Sequence, residues 1–230
     1  MGPAEGVMSV MSAEPARSVS PSGSAESGGA VAAPAGRRER GRERRRNQVY
    51  DAAVELIIEK GFDSTTMDDI AQRADVARGT VFNHFPRKSA FLDEWSARRR
   101  RRAFGAIYAE HLEDHSVREV LDRYMIELAE TSSRTREETV ALMGAAVHTT
   151  NVLADPPLAA ELGSIFARAH TAGRLAEGVD PGLAGRVLAA GYFAALTEWI
   201  SREPAPFDLR SRLLSLVGIV LDGVLAADGR

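Results

Sequence analysis

Apolar residues recur at steps of three and four along most of this chain, and no stretch alternates apolar and polar residues as a strand would. The first such stripe is Val49, Ala52, Ala53, Leu56 and Ile57, which predicts a helix from about Glu43 to Lys60. Gly61 is its expected stop, with Phe62 tucking back onto the core. Thr66 then offers an N-cap, and Asp69 places a carboxylate at the positive helix end, one methylene short of the usual capping-box Glu. Ile70, Ala71 and Ala74 give this second helix an apolar face. Asp75 stands where the chain must turn, and Val76 is the apolar plug behind the turn. Ala77, Val81 and Phe85, at steps of four, line the inner face of a third helix.

Pro86 fits the start of a fourth helix from about Arg87 to Tyr108, whose Phe91, Leu92 and Trp95 face the core. Val117, Val120, Leu121, Tyr124 and Leu128 stripe the next, and residues 139–151 form another. Asp155, Pro156 and Pro157 break the chain before a helix from Leu158 to Leu175. Residues 181–201, capped by Asp180, are rich in Ala and Gly and allow close helix approach through Ala189, Ala190, Gly191, Ala194 and Ala195. Residues 208–225 are apolar around much of their circumference, through Leu209, Leu213, Leu216, Val217, Ile219, Val220, Leu221 and Val224. One face covers the domain's own core, and the surplus calls either for burial in a monomer or for a second subunit. The fold class is therefore all-α, a short N-terminal helix-turn-helix unit followed by a larger helical domain.

The polar side of the third helix carries Arg78, Gly79, Thr80, Phe82, Asn83 and His84. Arg can donate twice to guanine, Asn can pair with the edge of adenine, and Thr can offer its methyl to thymine. An ordinary polar surface helix would show a similar pattern. What decides the matter is the density of agreement around it. From about Arg45 to Trp95 the chain resembles the DNA-binding domain of the TetR family of bacterial regulators. Ala52, Ala53, Leu56, Gly61, Phe62, Thr65, Thr66, Ile70, Ala71, Ala74, Val76, Gly79, Thr80, Phe82, His84, Phe85, Lys88 and Leu92 carry the likeness without a gap. The resemblance implies a homodimeric repressor whose C-terminal domain binds a small molecule. It also gives Lys88 a phosphate contact, in keeping with an ammonium beside a free helix N-terminus. Two positions depart from the family pattern. Phe82 replaces the common Tyr and lacks its hydroxyl, and Asp75 replaces the usual Gly.

Charge sharpens the division. Residues 37–102 hold 17 Lys/Arg against 11 Asp/Glu, whereas residues 103–230 hold 11 against 18, so only the first segment suits a polyanion. Residues 1–36 are mostly Ala, Ser, Gly and Pro and read as a disordered extension. The run at 37–46, with seven Arg, is either an arm for DNA phosphates and the minor groove or a solvated helix start; Arg45 and Arg46 are nearest the fold. The organisation expected is thus an extension at 1–36, a helix-turn-helix domain at 37–88, and a ligand-binding and dimerisation domain at 89–230. Thr66, Arg78 to Thr80, Phe82 to His84, Lys88, Arg45 and Arg46 are the DNA-contact candidates. Five consecutive Arg, 98–102, are expected to pair with the acidic second domain rather than reach DNA.

For a ligand, the candidates are bulky or polar residues on otherwise apolar faces: Tyr124, Met125, Met143, His148, Phe166, His170, Tyr192 and Trp199. Each also suits plain core. His111 and His115 have a metal-compatible i, i+4 spacing but flank Glu113 and Asp114 where a helix should end, so a solvated loop is the simpler reading. No phosphate loop, HExxH or GxSxG motif occurs, and no nucleophile stands near a base, so neither an enzyme nor a cofactor is expected. The chain has no Cys and no membrane-length apolar run, which fits a cytoplasmic protein. The partners expected are an operator duplex, an unknown small ligand and a second copy joined through residues 181–201 and 208–225. The alternative is a helical ligand- or partner-binding protein with a vestigial DNA-binding domain.

Overall fold

Helix α1 (Ala33–Lys60) starts ten residues ahead of the expected position, so the Arg run lies within a helix rather than in an arm before one. The structure, a computed structural model, describes residues 33–111, 115–149 and 156–224. Most of the expected N-terminal extension, together with Glu113, Asp114, Asn151, Asp155 and Leu225, lies outside the described residues. Residues 40–230 form one compact unit. Their remaining helices are α2 (Met67–Arg73), α3 (Arg78–His84), α4 (Ala90–Ala109), α5 (Val117–Arg134), α6 (Arg136–Thr149), α7 (Pro157–Thr171), α8 (Pro181–Ile200) and α9 (Leu209–Val224). No strand occurs among the described residues, and none of their helices is long and apolar enough to cross a membrane.

The stripes read from the sequence are the faces that bury. Val49, Ala53 and Ile57 of α1 meet Ile70 of α2, Val81 of α3 and Phe85, all at or below 1% exposure except Ala52 and Leu56 beside them. Two details differ from expectation. Ala77 is exposed and serves as the N-cap of α3, so Val81 and Phe85 alone anchor that helix inward. Pro86 lies ahead of α4 rather than in its first turn, and Ser89 is the N-cap.

In the second half, α5 begins with a complete Ser116–Glu119 capping box, and Asp180 caps α8 by accepting from the amides of Gly182 and Leu183. A tight helix approach lies ahead of the Ala-rich centre of α8. A Cβ at Gly185 would stand 2.6 Å from the Ala159 carbonyl and closer still to the Gly163 amide nitrogen. Gly163 and Gly185 therefore let α7 and α8 meet backbone to backbone. At the described residues, α4 links the two halves: its first turns pack under the helix-turn-helix, and its later turns pack against α5.

Candidate DNA interface and the cavity behind it

The reading pair is set by local chemistry. Thr66 Oγ1 accepts from the Asp69 amide at 3.1 Å while Asp69 Oδ2 accepts from the Thr66 amide at 2.9 Å, so the shorter carboxylate does close the capping box. Lys60 donates to the same oxygen at 2.6 Å; Lys60 and Thr66 together hold the Asp69 carboxyl well below the usual carboxylate range. Asp75 adopts the left-handed conformation with φ 48°, the strained value that the departure from Gly implies. The Val76 amide then bonds back to the Ala71 carbonyl and closes the turn.

On α3, Arg78, Gly79, Phe82 and Asn83 are exposed, Thr80 and His84 are half-buried, and Val81 is sealed. The expected outward face is thus present. Arg78 makes only an exposed pair with Asp68 at 3.0 Å, which is easily exchanged for a nucleic-acid acceptor. Its guanidinium stands 5.4 Å from the Phe82 ring, which is free to pack on a sugar but has no hydroxyl to donate. The Thr66 hydroxyl accepts in the cap and keeps its proton for donation to a phosphate. Burial, and then the positive charges of Arg42, Arg46 and Arg45, push the His84 pKa down, so its imidazole is neutral at pH 7.

Two DNA-contact candidates are engaged inside the protein instead. Arg46 donates to the His84 carbonyl at 3.0 Å and to Glu94 at 2.7 Å, with its guanidinium 4.5 Å from the Phe85 ring. It is a bracket from α1 across the end of α3 to α4, whereas Arg45 next to it is exposed. Lys88 donates to the carbonyls of Phe62 at 2.6 Å and Asp63 at 3.2 Å, closing the chain just after α1; that leaves one of its three donors.

The Arg run of α4 is partnered throughout. Arg98 and Arg101 reach Glu94, Arg100 reaches Glu161, and Arg102 reaches Glu127. The expected pairing with the second half therefore holds for Arg100 and Arg102, while Arg98 and Arg101 turn to a carboxylate on their own helix, and Arg98 also covers the Tyr50 ring at 3.7 Å. Glu94 and Glu127 have the same construction. Each is nearly buried and faced by several guanidiniums: Arg46, Arg98 and Arg101 for the first, and Arg102, Arg123 and Arg134 for the second. Burial alone would raise both pKa values, but the guanidiniums outweigh it and hold both carboxyls below their ordinary range. Arg99 differs. It is buried and bonds only to Ser132, Thr135 and Thr139, with Trp95 beneath it.

The ligand candidates do not converge. His148 and His170 are exposed near the ends of α6 and α7, and the sequence reading of them as pocket groups is corrected. Tyr124, Met125 and Phe166 are sealed in the core; Tyr124 donates to Glu161 at 2.8 Å. Trp199 lies under Arg136. His111 follows α4 with φ 54°, and His115 pairs with Glu119 at 3.5 Å. Of the ligand candidates, Met143 and Tyr192 line the cavities described next. The main cavity, about 540 Å³, lies behind the reading helix and is lined by Arg46, His84, Glu94, Trp95, Met143 and Phe193 among others. A cavity of about 20 Å³ adjoins it and shares Trp95, Ser96, Arg100, Met143 and Phe193; Tyr192 and Arg99 are on its wall.

A capped two-helix reader with a polar outward face, set on a helical domain with a cavity behind it, defines a helix-turn-helix transcriptional regulator. Residues 49–95 match the family described as bacterial regulatory proteins, tetR family. The transcriptional repressor KstR of Rhodococcus jostii is 28% identical over 184 residues, spanning 77% of this chain and 82% of that one. FadR of Thermus thermophilus, a TetR-family repressor solved with lauroyl-CoA, superposes with a TM-score of 0.61 at 27% identity, covering 77% of this chain and 94% of that one. SmeT, repressor of a Stenotrophomonas maltophilia efflux pump, shares the fold with a TM-score of 0.62 at 24% identity, over 80% and 92% of the two chains. The chain is a DNA-binding transcriptional regulator similar to those of the TetR family, whose DNA-binding domain its residues 49–95 match.

Proposed function

We propose that the protein is a homodimeric repressor of a palindromic operator, released by a small molecule held behind its reading helix. The observation that carries this is the α3 face. Arg78, Phe82 and Asn83 are exposed on a helix whose inner side is locked by Val81 and Phe85. Arg78 is the main base-reading side chain, Thr80 and Asn83 assist, and Arg45, Thr66, Gly79, Phe82 and the remaining Lys88 donor meet the backbone.

Dimerisation is supported by apolar side chains left open on the last two helices. Leu183 and Val187 of α8 are 55% and 52% exposed, one turn apart, and Ile219 of α9 is 71% exposed. Ala190 and Ala194 continue the α8 face with small exposed residues. A second copy on this face would set two α3 helices about 34–36 Å apart, one duplex turn. Ligand release is supported by the cavity, whose volume suits a drug-sized molecule, and by the relative solved with lauroyl-CoA. Arg46 and Glu94 belong to its wall, so an occupant that displaced either would loosen the end of α3. Such a regulator works in the cytoplasm, where the DNA is.

The test is titration of the purified full-length chain against labelled duplex from upstream of its own gene, with a scrambled duplex as control. Preference for the upstream duplex, with two chains bound per site, is the expected outcome. Equal affinity for both duplexes would instead leave a helical binding protein with a vestigial DNA-binding domain.

A further inference from the structure

Resting on the ligand-responsive reading, we infer that the molecule releasing this protein is an anion, a carboxylate or like oxyanion on an apolar body, and that Arg99 is its counter-charge. The other four arginines of the run each have a carboxylate partner. Arg99 makes no ion pair among the described residues and is 6% exposed. Its Nη atoms donate to three hydroxyls on α5, α6 and the residue between them. Those hydroxyls give their own protons to helix carbonyls: Ser132 to Leu128, Thr135 to Thr131, and Thr139 to Thr135. They accept from the guanidinium but carry no charge to balance it. A guanidinium does not neutralise itself in a protein, so the charge stays. Glu138 exerts an attractive charge on it but makes no ion pair with it, which leaves a place for a closer counter-charge.

A second observation points the same way. Two buried side-chain donors have no acceptor among the described residues, Arg99 Nε and Trp95 Nε1. Both residues line the same 20 Å³ cavity, which has room for about one oxygen atom. Two unpartnered donors, one of them charged, are what an oxyanion requires. The apolar body has its place next door. The 540 Å³ cavity is lined by Phe85, Leu92, Trp95, Met143, Pro157 and Phe193 among others, and Trp95, Met143 and Phe193 separate the two spaces. Met143, with its flexible thioether, is the side chain suited to yield. A molecule spanning both spaces would touch Arg99 at one end and the Arg46–Glu94 bracket at the other.

The probes are decanoate and 4-phenylbutyrate, each set against the alcohol of the same skeleton, with decylamine as the cation. Binding to the full-length protein is read by calorimetry, and operator release by fluorescence anisotropy in the same samples. At least one acid should bind roughly tenfold or more tightly than its alcohol, and decylamine should not bind. Arg99→Gln should bring that ratio close to one. If Arg99→Gln does not fold, Trp95→Phe, which removes the second free donor and keeps a ring, should lower the ratio. Equal binding of acid and alcohol by the wild type, or a ratio unchanged in the variant that folds, would overturn the anion site. Operator binding that survives while the acid preference fails sinks this site alone; absence of operator binding sinks the regulator reading, and the calorimetry still decides on the anion.

Discussion

Glu94 and Glu127 allow a controlled experiment, because they share a construction and differ in what they hold. The side chain of Glu94 is 10% exposed, and it accepts from Arg46 at 2.7 Å, Arg98 at 2.9 Å and Arg101 at 3.0 Å. Glu127 is 8% exposed and meets Arg102, Arg123 and Arg134. Removing one partner of a buried ion pair costs about 3–5 kcal/mol. Here the guanidiniums keep some water, and Gln retains an acceptor oxygen, so about 2 kcal/mol is expected for either Glu→Gln change. For a chain of this size that lowers the melting temperature by about 4–8 °C. The two variants should part company on DNA. Only Glu94 fixes Arg46, which donates to the His84 carbonyl at the end of α3. Glu94→Gln should therefore weaken operator binding several-fold at a temperature where the protein remains folded, while Glu127→Gln should leave affinity unchanged. Thermal unfolding and fluorescence anisotropy on the same preparations decide it. Equal loss of DNA affinity in both variants, or an unchanged melt for Glu94→Gln, would refute the bracket.

Gly185→Ala places a Cβ against the backbone of Gly163 and Ala159, which cannot give way, and should destabilise by about 1–3 kcal/mol or more; Gly191→Ala meets only the movable Leu216 side chain at 3.4 Å and should melt nearly as wild type. Arg45→Ala should reduce the slope of log affinity against log salt by about one without changing the melt, whereas Lys88→Ala should cost about 1 kcal/mol of stability through the lost carbonyl contacts. The folded carboxyls of Glu94 and Glu127 titrate below their ordinary value of 4.5, so their contribution is complete above that pH and is lost as the pH falls through the lower folded values. Melting temperature should accordingly hold from neutral pH down to about 5 and drop below about 4.5, and the double Glu→Gln variant should show a shallower drop.

What was legible in the sequence is what local spacing determines. The Thr66–Asp69 cap, the left-handed Asp75 and the inward Val81 and Phe85 all follow from neighbours within a few residues. The bracket made by Arg46 is not legible locally, because its partners, the His84 carbonyl and Glu94, are 38 and 48 residues away. Two of the Lys88 donors are committed in the same long-range way, to carbonyls 26 and 25 residues away. His148 and His170 drew attention as chemical types, but their helical positions turn them outward. Arg99 was missed although a signal existed. Trp95, Arg99, Ala103 and Ile107 fall at steps of four, so the apolar stripe of α4 runs through one member of the Arg run and buries it. The close approach of α7 to α8 sets Gly163 against Gly182 and Gly185, and the lone glycine of α7 has no pattern within its own helix to announce it.

In the proposed regulator α3 reads bases through Arg78. The most direct measurement of this is the affinity of wild type and Arg78→Ala across a set of operator duplexes with each base pair changed in turn. Wild type should lose about 1–3 kcal/mol at one guanine per half-site, and Arg78→Ala should become indifferent to the base there. A uniform weakening over every duplex, with the wild-type preference intact, would contradict it.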